Sequence, residues 1–182
     1  MRQERGFTLI EVLVAMVVAL IMMTLGAAAM RQYWFVRSVV GASQQVTAQL
    51  RQLQSQADSV SHPVVYGAWF LPGQTNSQEW GTLDYDPTIV NPSDRCTMGS
   101  PKELPTDVRV VGAPFADTTT LTSACKTVLQ SAGVANASAA KTVFFYARGN
   151  STGGELTLAR DGIAGQKTIE VAALTGRVVE RE

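Results

Sequence analysis

Few side chains in this chain combine type and spacing in a way that could do chemistry. Glu11 is a single carboxylate at the start of an apolar run: Val12 to Met30 carry no charge, and only Thr24 and Gly26 interrupt their apolar character. A carboxylate at mid-bilayer costs roughly 2.5 to 3.5 kcal/mol on insertion scales, less near an interface, so its natural chemistry is pairing with a cation. Cys96 and Cys125 could form one intrachain disulfide, closing a loop of about 30 residues and stabilising by roughly 3 to 4 kcal/mol; two buried free thiols are the alternative. His62, the one histidine, stands beside Pro63 with no serine, cysteine or acid at a spacing that suggests nucleophilic catalysis, and reads as a surface or capping residue. Asp84-Tyr85-Asp86 offers two carboxylates without further oxygen ligands and reads as a turn, not a calcium site. No glycine-rich phosphate loop follows a strand, so the sequence predicts no catalytic residue, no cofactor and no metal. Asn136-Ala137-Ser138 and Asn150-Ser151-Thr152 fit the glycosylation triplet, a frequent chance match.

These residues need elements to position them. The 182 residues, 46% apolar and only 16% charged, fit one modest domain plus an extra apolar element, and 15 basic against 15 acidic side chains leave no electrostatic footprint for a nucleic acid. The run after Glu11 is long enough to cross a hydrocarbon core as one helix. A secretory signal peptide cut after Ala29 competes with that reading, but its apolar stretch would be shorter and would not contain Glu11. The short segment ahead of the span is too small to fold, so the larger C-terminal part is expected outside the cytoplasm, where disulfides persist. Beyond the span, Val39, Val46, Leu50, Leu53, Ala57 and Val60 recur at helical spacing among glutamines, which predicts that the helix continues as an amphipathic rod until Ser61-His62-Pro63. Gly26 and Gly41 are places where it could bend. From Pro63 onward, alternation predicts strands at 107–111, 142–148, 155–160, 168–172 and 177–180, with turns at 150–154, 161–165 and 174–176, and an antiparallel meander in the last third. The middle, 67–140, is proline-rich and irregular, with a short helix over 122–132.

Gly6-Phe7-Thr8-Leu9-Ile10-Glu11-Val12-Leu13-Val14 resembles the prepilin recognition site of type IV pilins and type II secretion pseudopilins. The resemblance implies cleavage after Gly6 by a membrane prepilin peptidase, methylation of the new amine on Phe7, and retention of the apolar helix. Cutting there puts an α-amine, with an ordinary pKa of about 7.7 to 8.0, four residues from Glu11. In a membrane each charge is costly alone, and the amine of one subunit meeting Glu11 of its neighbour would relieve both and fix the axial stagger, making Glu11 an assembly residue. A second stretch, Phe144-Phe145-Tyr146-Ala147-Arg148-Gly149 with Gly154-Glu155-Leu156-Thr157-Leu158, Lys167-Thr168-Ile169-Glu170-Val171 and Gly176-Arg177-Val178, is similar to the closing strands of GspH/FimT minor pilins and pseudopilins. Together these imply an α+β, pilin-like fold: a leader over 1–6, a transmembrane helix over 7–30, its amphipathic half over 31–62, and a β-rich head over 63–182 carrying an antiparallel sheet packed on the helix. They imply a non-enzymatic, low-abundance filament subunit, single-pass in the inner membrane with its head outside the cytoplasm, whose partners are prepilin peptidase and other pilin or pseudopilin subunits. A type IV pilus is preferred to a type II secretion pseudopilus on the family's breadth alone. Some FimT-like members bind DNA through a C-terminal Gly-Arg-x-Arg tail; here Gly176-Arg177-Val178-Val179-Glu180-Arg181-Glu182 puts Val179 at the second arginine, and Arg177 and Arg181 alternate with acids, so nucleic-acid binding is not expected.

Overall fold

The computed structural model describes residues 8–60, 63–73, 78–115, 119–160 and 165–181. Its longest element is α1, Leu9–Ser59. The periodic stripe explains its second half: Val39, Val46, Leu50, Leu53 and Ala57 are all buried, Val60 is half-buried beyond the helix end, and Gln44, Gln45, Gln52 and Gln56 lie on the open side. Contact-dense structure divides at one peptide bond of this helix, into a unit ending at Arg37 and a unit over Ser38–Glu182. Residues 31–37, expected in the amphipathic half, therefore belong with the first unit, because Tyr33, Trp34 and Val36 are exposed and the burying stripe starts at Val39.

The Ser38–Glu182 unit contains two antiparallel sheets. One runs β3 (Cys96–Met98), β2 (Glu79–Tyr85), β1 (Val65–Phe70), β6 (Lys141–Phe145), with β4 (Lys102–Glu103) also paired to β2. The other runs β5 (Val108–Gly112), β7 (Gly154–Arg160), β8 (Gln166–Val171), β9 (Val178–Arg181). The last three strands form the meander expected at the C-terminus, but β6 leaves it and pairs with β1, in the register Gly67↔Phe144. The irregular middle holds four strands and α2, Thr119–Ser131. β1 escaped an alternation test because both of its faces are covered: five of its six residues are buried. Ala68 and Phe70 join the core against α1, whereas Val65 and Trp69 face a second core with Cys125 and Leu129 of α2. A strand covered on both sides reads as a continuous apolar run.

Ser151-Thr152-Gly153 joins the sheets. Thr152 N–H donates to Phe144 O of β6 at 3.0 Å, while Ser151 N–H donates to Ala173 O, just past β8, at 2.8 Å. Gly153 sits at φ 68°, and a Cβ there would lie 2.7 Å from Ala173 Cβ, so this crossing requires glycine twice over. α2 ends in a Schellman arrangement: Val134 N–H reaches Leu129 O at 3.1 Å and Gly133 supplies the left-handed residue, φ 79°.

Candidate functional site

Gly6 and Phe7, the expected processing residues, lie outside the described residues, as does His62. Glu11 opens α1. Its N–H donates to Thr8 O at 3.1 Å, which puts the carboxylate in the first turn, where the helix dipole favours a negative charge. Leu9 to Ala27 form an apolar stretch, mean hydropathy 2.5, none of it buried within the molecule. Glu11 borders a shallow furrow floored by Ala15 and Ala19 and walled by Val14 and Val18. Small residues at i+4 and i+8 from the acid would let another helix come close to it, since alanines admit a backbone that leucines would hold off. Sequence reasoning singled out the acid and missed this furrow, although the spacing 11, 15, 19 was readable.

The other expected residues are placed by the head. Cys96 of β3 and Cys125 of α2 are bonded, Cα to Cα 5.3 Å, both buried in the core between α2 and the first sheet. The carboxylates of the Asp84-Tyr85-Asp86 segment do not converge: Asp86 accepts from Thr88 N–H and Oγ1 at 2.8 and 2.6 Å in a local turn, and Asp84 stays on β2. Burial pushes the Asp84 carboxyl above its ordinary value of 3.8. No group of three or more potential metal ligands occurs among the described residues. Arg177 precedes β9 and is exposed, whereas Arg181 is held 2.6 Å from Glu170 Oε2 on β8. Arg181 is thus tied to the neighbouring strand, and Arg177 is not part of that pair.

The head also fixes the start of its own helix. Arg160, at the end of β7, donates to Ser38 Oγ at 2.9 Å and to Asp107 Oδ2 at 2.8 Å, and Ser43 Oγ donates to Glu180 Oε1 at 2.7 Å. Further along, Arg51 and Gln54 donate to Val178 O and Thr175 O, both at 3.3 Å. These polar contacts flank the apolar stripe and set which face of the helix meets the second sheet.

Residues 1–27 match the prokaryotic N-terminal methylation motif, and residues 42–175 match the family described as type II transport protein GspH. The chain belongs to the GspH family. It is a minor pilin or pseudopilin of the GspH type, and its Glu11 furrow lies inside the matched methylation motif. Among solved structures it is similar to the minor pseudopilin EpsH from the type 2 secretion system of Vibrio cholerae, at 8% identity and a TM-score of 0.49, over 79% of this chain and 96% of that one. No curated protein matches it. This GspH-family chain has the α+β architecture expected of it, its head built of two antiparallel sheets joined by Ser151–Gly153.

Proposed function

We propose that the chain is a filament subunit processed between Gly6 and Phe7, retained in the inner membrane by the apolar segment from Phe7 to Met30 with its head outside the cytoplasm, and taken into a type IV pilus through Glu11. The observation that carries this reading is a carboxylate at the head of an apolar, unburied helix, beside a furrow of alanines. An acid in that position is a standing cost to a lone subunit, and the cost is relieved when a neighbour's N-terminal ammonium reaches it. The furrow supplies the close approach this needs. Prepilin peptidase and other pilin subunits are the partners that follow from the methylation motif.

Pseudopilus assembly in type II secretion is the second reading, favoured by the description of the matched family. Both filaments use the same chemistry at residues 6, 7 and 11. Co-purification separates them: the subunit comes down with pilus fibres or with the secretion machinery. The N-terminal residue and mass of the mature protein test the processing step. Methylated Phe7 is expected, Met30 would mean a discarded signal peptide, and an intact Met1 would mean no processing. For assembly, Glu11→Ala should be processed and membrane-bound yet enter filaments at a small fraction of the wild-type level. Equal incorporation would remove Glu11 from the mechanism.

A further inference from the structure

The helical turns after the apolar span have a chemistry that neither the span nor the head explains. Tyr33 and Trp34 are 55% and 60% exposed and meet edge to face, ring centroids 6.4 Å apart, while the Arg37 guanidinium lies over the Tyr33 ring, 5.1 Å from its centroid. Arg31 and Arg37 bracket the pair, and no acid stands between Glu11 and Asp58. These rings add nothing to the head's core, whose helical stripe begins at Val39. Large exposed aromatic side chains followed by a stacked arginine would be a solubility liability in water. At a membrane surface they are the side chains best suited to the boundary, an apolar ring with a polar edge beside a cation for phosphate.

Depth supports the same assignment. A hydrocarbon core of about 30 Å within a bilayer of about 40 to 45 Å leaves a headgroup layer of about 5 to 7 Å on each side. At about 1.5 Å per residue, Leu9 to Met30 spans roughly the whole hydrocarbon core, and Tyr33 and Trp34 follow about 5 to 6 Å further on. Arg37 comes one turn later, about 10 Å past Met30, and its guanidinium folds back over the Tyr33 ring toward that layer. An acidic protein surface is the competing occupant, and the position of these turns just past the apolar span favours the headgroup layer over it. The phosphates of phospholipid headgroups account for the basic residues at both ends of the aromatic pair.

We propose that Arg31–Arg37 is an interfacial belt that fixes the depth of α1, with Tyr33 and Trp34 among the headgroups of the outer leaflet and Arg31 and Arg37 at lipid phosphates. It rests on the reading that Leu9–Ala27 spans the bilayer. The belt would define the resting position from which a subunit is drawn into a filament.

Trp34 can be observed selectively, because the other two tryptophans, Trp69 and Trp80, are 0% exposed. The full chain would be reconstituted into vesicles of phosphatidylcholine and phosphatidylglycerol, with bromine carried on the acyl chains either close to the headgroup or near the terminal methyl. Shallow bromine should quench the emission several-fold more strongly than deep bromine, and Trp34→Phe should abolish this difference. Arg31→Gln with Arg37→Gln should move the maximum of quenching deeper, and an unchanged depth profile in that variant would remove the guanidiniums from the belt. Chain that floats with the vesicles but is quenched best by deep bromine overturns the belt and leaves the span standing. So does Trp34 emission shielded from both bromines and from aqueous acrylamide, the sign of a protein surface over it. Chain that fails to float with the vesicles overturns both.

Discussion

Trp69 lies across Gly81 on the neighbouring strand, its direct partner in the β1–β2 register. A Cβ at Gly81 would stand 2.6 Å from the indole Nε1 and 3.0 Å from Cε2, and Trp69 is fully buried, so the ring has nowhere to go. Overpacking of this kind costs about 1 to 3 kcal/mol. Gly81→Ala should lower the unfolding free energy by that amount, read as a lower urea midpoint at an unchanged slope of the transition. Asp84, one pair further along β1–β2 than Leu83, faces the same side of the sheet as Ala68 and Phe70, beside Tyr66. Asp84 is exposed as a residue, but partial desolvation of its carboxyl pushes the pKa up, so folding modestly favours the protonated acid. The unfolded chain therefore binds fewer protons than the folded one as the pH passes between the two pKa values. This contribution to stability is fully present below the ordinary value of 3.8 and is lost as the pH rises through the raised one. Asp84→Asn should therefore melt above the wild type at neutral pH, with the two curves converging in acid. A variant that melts below the wild type at neutral pH would mean that the charge is stabilised by a partner.

At the scale of elements, α2 is secured in two ways: it buries Cys125 and Leu129 against Trp69, Leu83 and Phe144 of the first sheet, and its disulfide ties it to the edge strand β3. With a sequence separation of 29 between the cysteines, the bond should contribute about 3 kcal/mol through the unfolded chain. Cys96→Ser with Cys125→Ser should show that loss in urea unfolding, and the variant should become indifferent to reductant while the wild type remains sensitive to it. A wild type equally stable with and without reductant would mean that packing alone holds α2. These elements also show where sequence reading works. The second half of α1 was legible because one face is buried and the other solvated, which imprints a helical period on Val39 to Ala57. The strands β7 to β9 were legible for the same reason at period two. β1 was not, since a sheet with α1 on one side and α2 on the other erases alternation. The departure of β6 from the meander was not legible either, because it is decided by pairing with a strand far away in sequence.

Across the whole molecule the charge balance is even: beyond Met30 there are 13 basic and 13 acidic residues. Glu11 could be found from sequence because a lone acid in an apolar run is a local signal, whereas the fate of the C-terminal arginines depends on strand register. β8 pairs with β9 so that Thr168 faces Arg181 and Glu170 faces Val179, and β7 pairs with β8 so that Glu155 faces Glu170. Two glutamates opposite one another repel, and the Arg181 guanidinium 2.6 Å from Glu170 offsets that repulsion. Arg181 thus belongs to the sheet, and a polyanion could recruit it only by exposing the glutamate pair again. Affinity for DNA grows with the number of phosphates neutralised, and a molecule of zero net charge with its tail arginine already paired has little to offer. The chain in detergent should therefore leave a DNA duplex unshifted at about 0.15 M salt, and Arg177→Ala with Arg181→Ala should migrate identically to it. A retarded band in the wild type that disappears in this double variant would show that the strand face is a nucleic-acid site and that the Glu170 pairing yields to phosphate. The same double variant should instead melt slightly below the wild type, by less than about 1 kcal/mol, because an exposed ion pair contributes little.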